Sequence, residues 1–430
     1  MAPASRPLDI ITIGGSLAGL MTSISLRRLG HNVRIFERSP TPLLHDQGAG
    51  IVAGGDTQDF LNDYDETKTP SAVPSNTRLY LDKEGNVIHR ESSLQHMTSW
   101  DLVYHICRAN FDGVKSEYIK PDHLSRARRD GGQGMYQYGR QVVGLESAGS
   151  KAKVSFRSTI DGENQDDVKD ELADFVVVAD GASSEMRQLL SPSSPGRTYA
   201  GYLAFRGTVS EADITPEAVA VFVEKFPFFH AKGIQILAYV IPGPNGTLEQ
   251  GKRKVNWVWY WNVDDSSDEF RAIMTDKHGA RHKWSLPPGN NMVEDVWETQ
   301  KQRARDLLPP QFAELVLKTE SPFVQAVTDL EPPSDGKVWL LDGKAVLVGD
   351  SVAGFRPHTA ASTSQAALHA LRLPQVFRGE ISREKYEEEV MDFAKRLQKH
   401  GVELGNRSQF GNHPFGSGYG DPSGADPRKA

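Results

Sequence analysis

The sequence holds one cysteine, Cys107, among 430 residues, so no disulfide can form within the chain. Long apolar runs are missing too. The longest, Ala218 to Val223 among them, hold six residues, far short of the roughly 18 that a membrane-spanning helix needs. Basic charge is in deficit: 49 Lys and Arg against 56 Asp and Glu give a net charge of −7, which argues against nucleic acid as a partner. No His, Cys and carboxylate cluster has metal-ligand spacing, and no Gly-x-Ser-x-Gly elbow occurs, so metal and serine-hydrolase chemistry are set aside. The opening Met-Ala-Pro-Ala-Ser-Arg-Pro lacks the apolar core of a secretory signal. A reducing, cytoplasmic setting without a membrane span is therefore expected.

What is present describes a globular enzyme-sized chain, with 38% hydrophobic residues, 24% charged residues and 39 glycines. Leu8 to Ile13 is an apolar, β-branched run that stops at Gly14-Gly15 and reads as a buried strand. Leu17, Leu20, Met21 and Ile24 then recur at helical spacing as far as Gly30, and Asn32 to Glu37 reads as a second strand. This is a parallel strand-helix-strand unit. A helix is expected near Asp101 to Phe111, and loop chemistry over 62–78. Strands follow at Gly139 to Glu146, Ala152 to Arg157 and Phe175 to Ala179, the acidic stretch 161–171 being a solvated hairpin tip. Beyond the stiff Ser191 to Pro195 the pattern changes to alternation, clearest in Val255 to Val263. There Trp257, Trp259 and Trp261 face one way while Asn256, Val258 and Tyr260 face the other. Ala345 to Val348 returns to the buried-strand pattern, and a last helix carries Tyr386, Val390, Phe393 and Leu397 on one stripe.

The fold expected is α/β, α+β overall: a discontinuous Rossmann-like FAD-binding domain with an inserted β-rich substrate domain and C-terminal helices. Its segments are 1–195 for the first part of the nucleotide domain, 196–334 for the insert, 335–410 for the return and C-terminal helices, and 411–430 for a flexible tail.

Three motifs carry the chemistry. Gly14-Gly15-Ser16-Leu17-Ala18-Gly19 lies between strand and helix, and Glu37 ends the next strand, 18 residues after Gly19. A dinucleotide site asks for glycine at a tight turn, a small residue near the pyrophosphate, glycine where helix meets strand, and an acid for ribose hydroxyls. Ser16 stands where a second glycine is usual, and its hydroxyl can bond a phosphate. The motif does not separate FAD from NAD. Asp180-Gly181 opens a sharp turn after the strand Phe175 to Ala179, with Arg187 farther on; a plain strand-to-helix turn accounts for it equally well. Gly349-Asp350 ends the late strand, with Pro357 seven residues on and a small-residue helix start, Thr359 to Ser364.

The order of these motifs, with a β-rich insert between the second and third, resembles the class A flavoprotein aromatic hydroxylases, the para-hydroxybenzoate hydroxylase fold. Gly14-Gly15-Ser16, Tyr202 to Val209 and Phe355-Arg-Pro-His-Thr-Ala360 are similar to the 2,6-dihydroxypyridine 3-hydroxylase branch and its fungal relatives. The resemblance spans Leu8 to about Gly405. It implies that Gly14, Gly15, Ser16 and Gly19, with Leu17 and Ala18 between them, hold the FAD pyrophosphate. By the same resemblance Glu37 holds the adenosine ribose, with Arg38 beside it, while Asp180, Gly181 and Arg187 serve both FAD and the nicotinamide nucleotide. Asp350 would hold the ribityl chain, and Pro357, His358, Ala360, Ala361, Ser362, Thr363 and Ser364 would run along the isoalloxazine. The family often has Gly, Gly and Asn at positions 360, 362 and 364. It also often carries arginine at the position of Ser99.

The resemblance further implies that NAD(P)H reduces FAD, O2 adds to give a flavin hydroperoxide, and an electron-rich ring attacks its distal oxygen. The protein supplies orientation and a dry site. The expected reaction is hydroxylation of a phenolic or hydroxypyridine-type ring, a small aromatic substrate being the partner and a homodimer left open. The alternatives are decarboxylative hydroxylation of a hydroxybenzoate-type acid, a flavin epoxidase or oxidase of secondary metabolism, and a non-catalytic binder on the same fold. Candidates for catalysis are His358, Tyr239, Tyr260 and His230, each with ordinary packing as its competing role. The tryptophan stripe is read as core, and Cys107 as inert.

Overall fold

The computed structural model describes residues 6–44, 50–125 and 131–411. The tail 411–430, apart from Gly411, lies outside them. Among the described residues the strands form three sheets, of six, nine and three strands.

The chain opens with β1 (Asp9–Ile13), α1 (Leu17–Arg28) and β2 (Asn32–Phe36). It continues through β3 (Gly50–Val52), α2 (Gly55–Tyr64), β4 (Val73–Leu81), β5 (Val87–Ser99), α3 (Trp100–Phe111) and the single turn α4 (Pro121–Leu124). Next come β6 (Gly134–Gln137), β7 (Arg140–Ala148), β8 (Lys151–Ser158), β9 (Lys169–Ala173), β10 (Phe175–Val178) and α5 (Glu185–Leu190). The six-stranded sheet takes β1, β2, β6 and β10 from this part, with β17 (Trp339–Leu340) and β18 (Ala345–Leu347) returning late, in the order β17-β18-β10-β1-β2-β6. All its pairings are parallel except that of β17 with β18. Ile10, Ile11, Val176, Val177, Val346 and Leu347 are wholly buried, as the strands of a sheet covered on both faces must be. Leu20, Met21 and Ile24 of α1 bury their stripe in the same core, joined by Ala367, Ala370 and Leu373 of α10 (Ser362–Phe377).

The nine-stranded sheet has the order β15-β16-β11-β14-β13-β12-β4-β5-β3. Six of these strands come from the later half: β11 (Thr198–Ser210), β12 (Lys225–Ala231), β13 (Ile234–Ile241), β14 (Lys254–Asn262), β15 (Ser285–Leu286) and β16 (Phe323–Asp329). The other three are β3, β4 and β5, joined through a parallel β4–β12 pair. The sheets therefore do not divide at residue 195, because an early hairpin completes the later sheet. That hairpin also corrects the loop expected over 62–78, which holds the end of α2 and the start of β4. Proline, serine and threonine hid β4, and β5 is polar along most of its length. Both are held by ladder bonds to their neighbours rather than by an alternating apolar pattern.

In β14 the alternation separates two environments. Val255, Trp257 and Trp259 face a core built with α6 (Pro216–Phe222), α7 (Asp268–Ile273), α8 (Glu294–Leu307) and α9 (Pro310–Lys318). Tyr260 and Val258 join Tyr202, Ala204, Leu237 and Tyr239 on the opposite face. The last helix, α11 (Arg383–Gln409), buries Tyr386, Val390 and Met391. Trp257 is fully buried, stacks on Trp297 at 6.4 Å and donates its indole N–H to Thr319 at 2.9 Å. Trp257→Ala should therefore cost about 3–5 kcal/mol, read as a lowered midpoint in chemical denaturation.

Candidate active site

The glycine loop is built by space. Gly14 has φ +99° and its N–H reaches the Phe36 carbonyl at 2.9 Å. A side chain there would overlap the Ala179 carbonyl, and one at Gly19 would overlap the Gly14 oxygen. The helix α1 thus starts directly against the strand ends, its first N–H groups open to a ligand. Ser16 is the N-cap residue yet makes no side-chain capping bond, so its hydroxyl is unspent among the described residues. Leu17 is buried in the core and offers only backbone, and Ala18 packs under Gly349. Glu37 is buried and accepts from the N–H groups of Gly15 and Ser39, both at 2.8 Å, so it braces the loop from below. Arg38 is exposed. The loop has a further support that the sequence did not announce. Tyr136 donates to the Gly15 carbonyl at 3.2 Å, and the Arg108 guanidinium lies 3.8 Å over the Tyr136 ring. Tyr136 stands 121 residues from Gly15 and 28 from Arg108, and no local spacing signals them.

Asp180 follows β10. Its Oδ2 accepts from the Met186 N–H at 3.2 Å, while Oδ1 is buried with no hydrogen-bond partner among the described residues, and burial raises its pKa. An orphaned buried acceptor marks a place for a donor. Gly181 takes φ +81° in the turn. The Arg187 guanidinium is buried and bonds four backbone carbonyls, those of Ser351 (3.3 Å), Val352 (2.8 Å), Pro195 (3.5 Å) and Glu331 (2.6 Å). It clamps the third motif to the two ends of the later sheet's segment.

Asp350 sits in a pinned turn. Gly349 donates its N–H to His369 Nδ1 at 2.8 Å, and Ser351 donates to the Val178 carbonyl at 2.9 Å. Burial raises the Asp350 pKa, with Ser362 hydrogen-bonded to its carboxylate and Arg197 nearby working against the rise. The turn Pro357–Thr359 leads into Ala360, which takes a left-handed φ of +51°. That conformation is why glycine is common at this position. Ala361 and Thr363 are buried, Ser362 begins α10, and Ser364 meets the backbone of Gly54 at the start of α2.

His358 points from this turn onto the tyrosine face of the large sheet. Its Nε2 lies 2.9 Å from the Tyr202 hydroxyl and its ring centroid 4.3 Å from that of Tyr260. Burial and the nearby Arg356 push its pKa down to about 3, so it is neutral at ordinary pH. Arg356 is itself held bidentately by Asp329 at 2.8 and 2.6 Å and donates to Asn406 at 2.9 Å. Of the four candidates, His358 and Tyr260 come together, joined by Tyr202, which the sequence reading passed over. Tyr202 could have been found from its period-two alignment with Ala204 and Arg206. Tyr239 lies farther along the same face, beside Arg206 and Asn256. His230 is two strands from Tyr260 in the register and packs near Phe228 and Tyr80.

A dinucleotide fits this arrangement. The glycine cradle leaves backbone N–H groups and the Ser16 hydroxyl for phosphates, and Asp180 Oδ1 and Asp350 offer buried acceptors for hydroxyls.

Comparison with known proteins agrees. A family model described as FAD binding domain-like matches residues 199–329. The chain is 29% identical over 374 residues to 2,6-dihydroxypyridine 3-monooxygenase of Paenarthrobacter nicotinovorans, covering 86% of this chain and 82% of that protein. It is 25% identical over 219 residues to a FAD-dependent urate hydroxylase of Mycolicibacterium vanbaalenii, covering 48% of each. The solved structure of 2,6-dihydroxypyridine-3-hydroxylase from Arthrobacter nicotinovorans superposes with a TM-score of 0.78 at 26% identity, covering 99% of this chain and 97% of that one. A salicylate hydroxylase substrate complex shares the fold, with a TM-score of 0.66 at 16% identity over 97% and 92% of the two chains.

Two outcomes are expected. Asp350→Ala should fold but lose its flavin on purification, which the visible spectrum and a circular-dichroism melt check together. His358 and the fully buried His369 are both held down to about 3 by burial, whereas an unfolded histidine titrates near 6.5. Between pH ~6.5 and ~3 the unfolded chain therefore binds protons that the folded chain refuses, so stability is full above that window. It falls by up to about 1.4 kcal/mol per pH unit per histidine on acidification. Urea denaturation at pH 7 and pH 5 measures this, and His369→Gln should give the shallower dependence.

Proposed function

We propose that this chain, a FAD-dependent monooxygenase with the class A hydroxylase fold, hydroxylates a phenolic or hydroxypyridine-type ring at the expense of NAD(P)H and O2. The observation that carries the reading is the meeting of the His358 turn with the tyrosine face of the nine-stranded sheet. Beside the three cofactor motifs, this meeting puts an apolar wall and one relay at the same place. Similarity to proteins named for dihydroxypyridine and salicylate hydroxylation supports a ring of that class. When bound, FAD supplies the oxygen-activating chemistry, which no side chain of this protein can provide.

The chain's own residues do the rest. Ala204 lies between Tyr202 and Arg206, Val258 and Leu237 extend the apolar floor across the neighbouring strands level with Arg206, and the aromatic rings around them exclude water from a flat guest. Tyr202 stays protonated, because burial raises its pKa well above the usual value. Neutral His358 can accept the Tyr202 hydroxyl's hydrogen bond at Nε2, which leaves the lone pairs of the Tyr202 oxygen to accept from a ring hydroxyl. Polarising the ring's O–H bond in this way increases electron density on the ring where it is attacked. Arg356, tied down by Asp329 and Asn406, holds the turn that carries His358.

The purified protein should be yellow. A panel of phenols and hydroxypyridines should stimulate NAD(P)H oxidation, with one 18O atom from labelled O2 in the product by mass spectrometry. A colourless protein, or oxidation without label, overturns the reading. His358→Gln should keep its flavin yet form product roughly 100-fold more slowly, as measured by product rather than by NAD(P)H loss.

A further inference from the structure

The end of α11 carries glycine where a helix is more stable with another residue. Gly401 and Gly405 stand one turn apart inside this 27-residue helix, and both are buried, with Ser408 and Gln409 continuing the same face. Glycine in a helix interior is disfavoured relative to alanine, because a freer backbone is ordered and no side chain packs in return. A buried pair therefore calls for a reason in the packing.

The two positions differ in the room left beside them. A Cβ on Gly401 would meet the Thr359 methyl at 3.3 Å and the Arg356 backbone nitrogen at 3.6 Å, which small shifts accommodate. A Cβ on Gly405 would overlap the Tyr202 hydroxyl oxygen and stand 2.8 Å from Arg356 Nη1. The phenol end of Tyr202 thus occupies the space that a side chain at 405 would fill.

Neither side of this contact is free to step back. Tyr202 is wholly buried, with the rings of Tyr260 and Phe410 edge-on to it at 5.7 and 5.9 Å. Its hydroxyl lies 2.9 Å from His358 Nε2, and the Arg356 guanidinium donates to the same oxygen, so the hydroxyl hydrogen is left for the histidine. Arg356 is in turn held by Asp329 and by Asn406, the residue next to Gly405. The helix is tied down as well. Ser408 donates to Gln235 Oε1 of β13 at 2.5 Å, and the Gln409 carbonyl accepts from Asn262 of β14 at 2.8 Å. Withdrawing α11 would break these bonds, so a side chain at 405 has to displace the phenol instead.

We propose that Gly405 is a positioning residue of the Tyr202–His358 relay: its missing side chain is what lets the tyrosine hydroxyl stand within hydrogen-bond reach of the histidine. The inference rests on the hydroxylase reading for the use of that relay. It adds what that reading leaves open, a requirement on the C-terminal helix.

A double-variant cycle with Tyr202→Phe, which removes the crowded oxygen, tests it on the full-length, flavin-loaded protein. In the wild-type background Gly405→Ala should keep its flavin yet form hydroxylated product about tenfold to a hundredfold more slowly, as expected for a catalytic group displaced by about 1 Å. In the Tyr202→Phe background the same change should cost less than about threefold, because contacting residues are not additive. Thermal melts of the four proteins read the contact without turnover: Gly405→Ala should lower the melting temperature of the wild type more than that of Tyr202→Phe. Equal losses of product in the two backgrounds overturn the proposal, and so does a loss below about threefold in the wild type. Equal melting shifts overturn it too, whether or not product forms. If Gly405→Ala alone is too unstable to purify, the double variant should be recovered, and equal instability of both overturns the proposal. A protein that oxygenates phenols without coupling between positions 202 and 405 refutes this inference alone. One that couples them in the melts but forms no labelled product refutes the hydroxylase reading.

Discussion

Parallel pairing of three strands is the constraint from which the site follows. β18, β10 and β1 lie side by side, with Leu347 opposite Val178 and Val178 opposite Ile13. Their carboxyl ends are therefore level, and the turns at Gly14, Asp180 and Gly349-Asp350 emerge at one edge although the first and last are more than 330 residues apart. Ligands gather at such an edge because strand ends and helix starts leave backbone groups unpaired there. Close approach then does the fine work: Gly14 against Ala179, Gly19 against Gly14, and Gly349 against Ala18.

The large sheet solves a different problem, which is to bury one face and keep the other useful. Period-two alternation in β14 gives its tryptophans to a helix-backed core and its tyrosine and asparagine to the opposite side. A slip of one residue would exchange the two sets, so burial of Trp257 and Trp259 also guarantees the position of Tyr260 and Asn256. Stability and the pocket floor are thus set by the same register.

Burial also sets the charge of the groups between the two sheets. His358 is neutral because water is excluded and Arg356 stands near, and Tyr202 keeps its proton for the same reason. Arg187, which the motif resemblance assigns to the nucleotides, ties three chain segments together through their carbonyls. A motif position states which residue type is needed, and the surrounding backbone decides what that residue does.

The residues by themselves determined the strand-glycine-helix start, the acid ending β2, the return of a buried strand at Ala345, and the division of β14 into two faces. Each rests on local periodicity or on the stereochemistry of glycine, which neighbours in sequence dictate. Only the tertiary structure decided the rest. It recruited the polar hairpin β4–β5 to the later sheet, set Tyr136 and Arg108 beneath the glycine loop, and paired Tyr202 with His358 across 156 residues. These depend on which surfaces meet and which polar groups are left unpaired when they do, and contacts between distant segments carry no periodic signal along the chain.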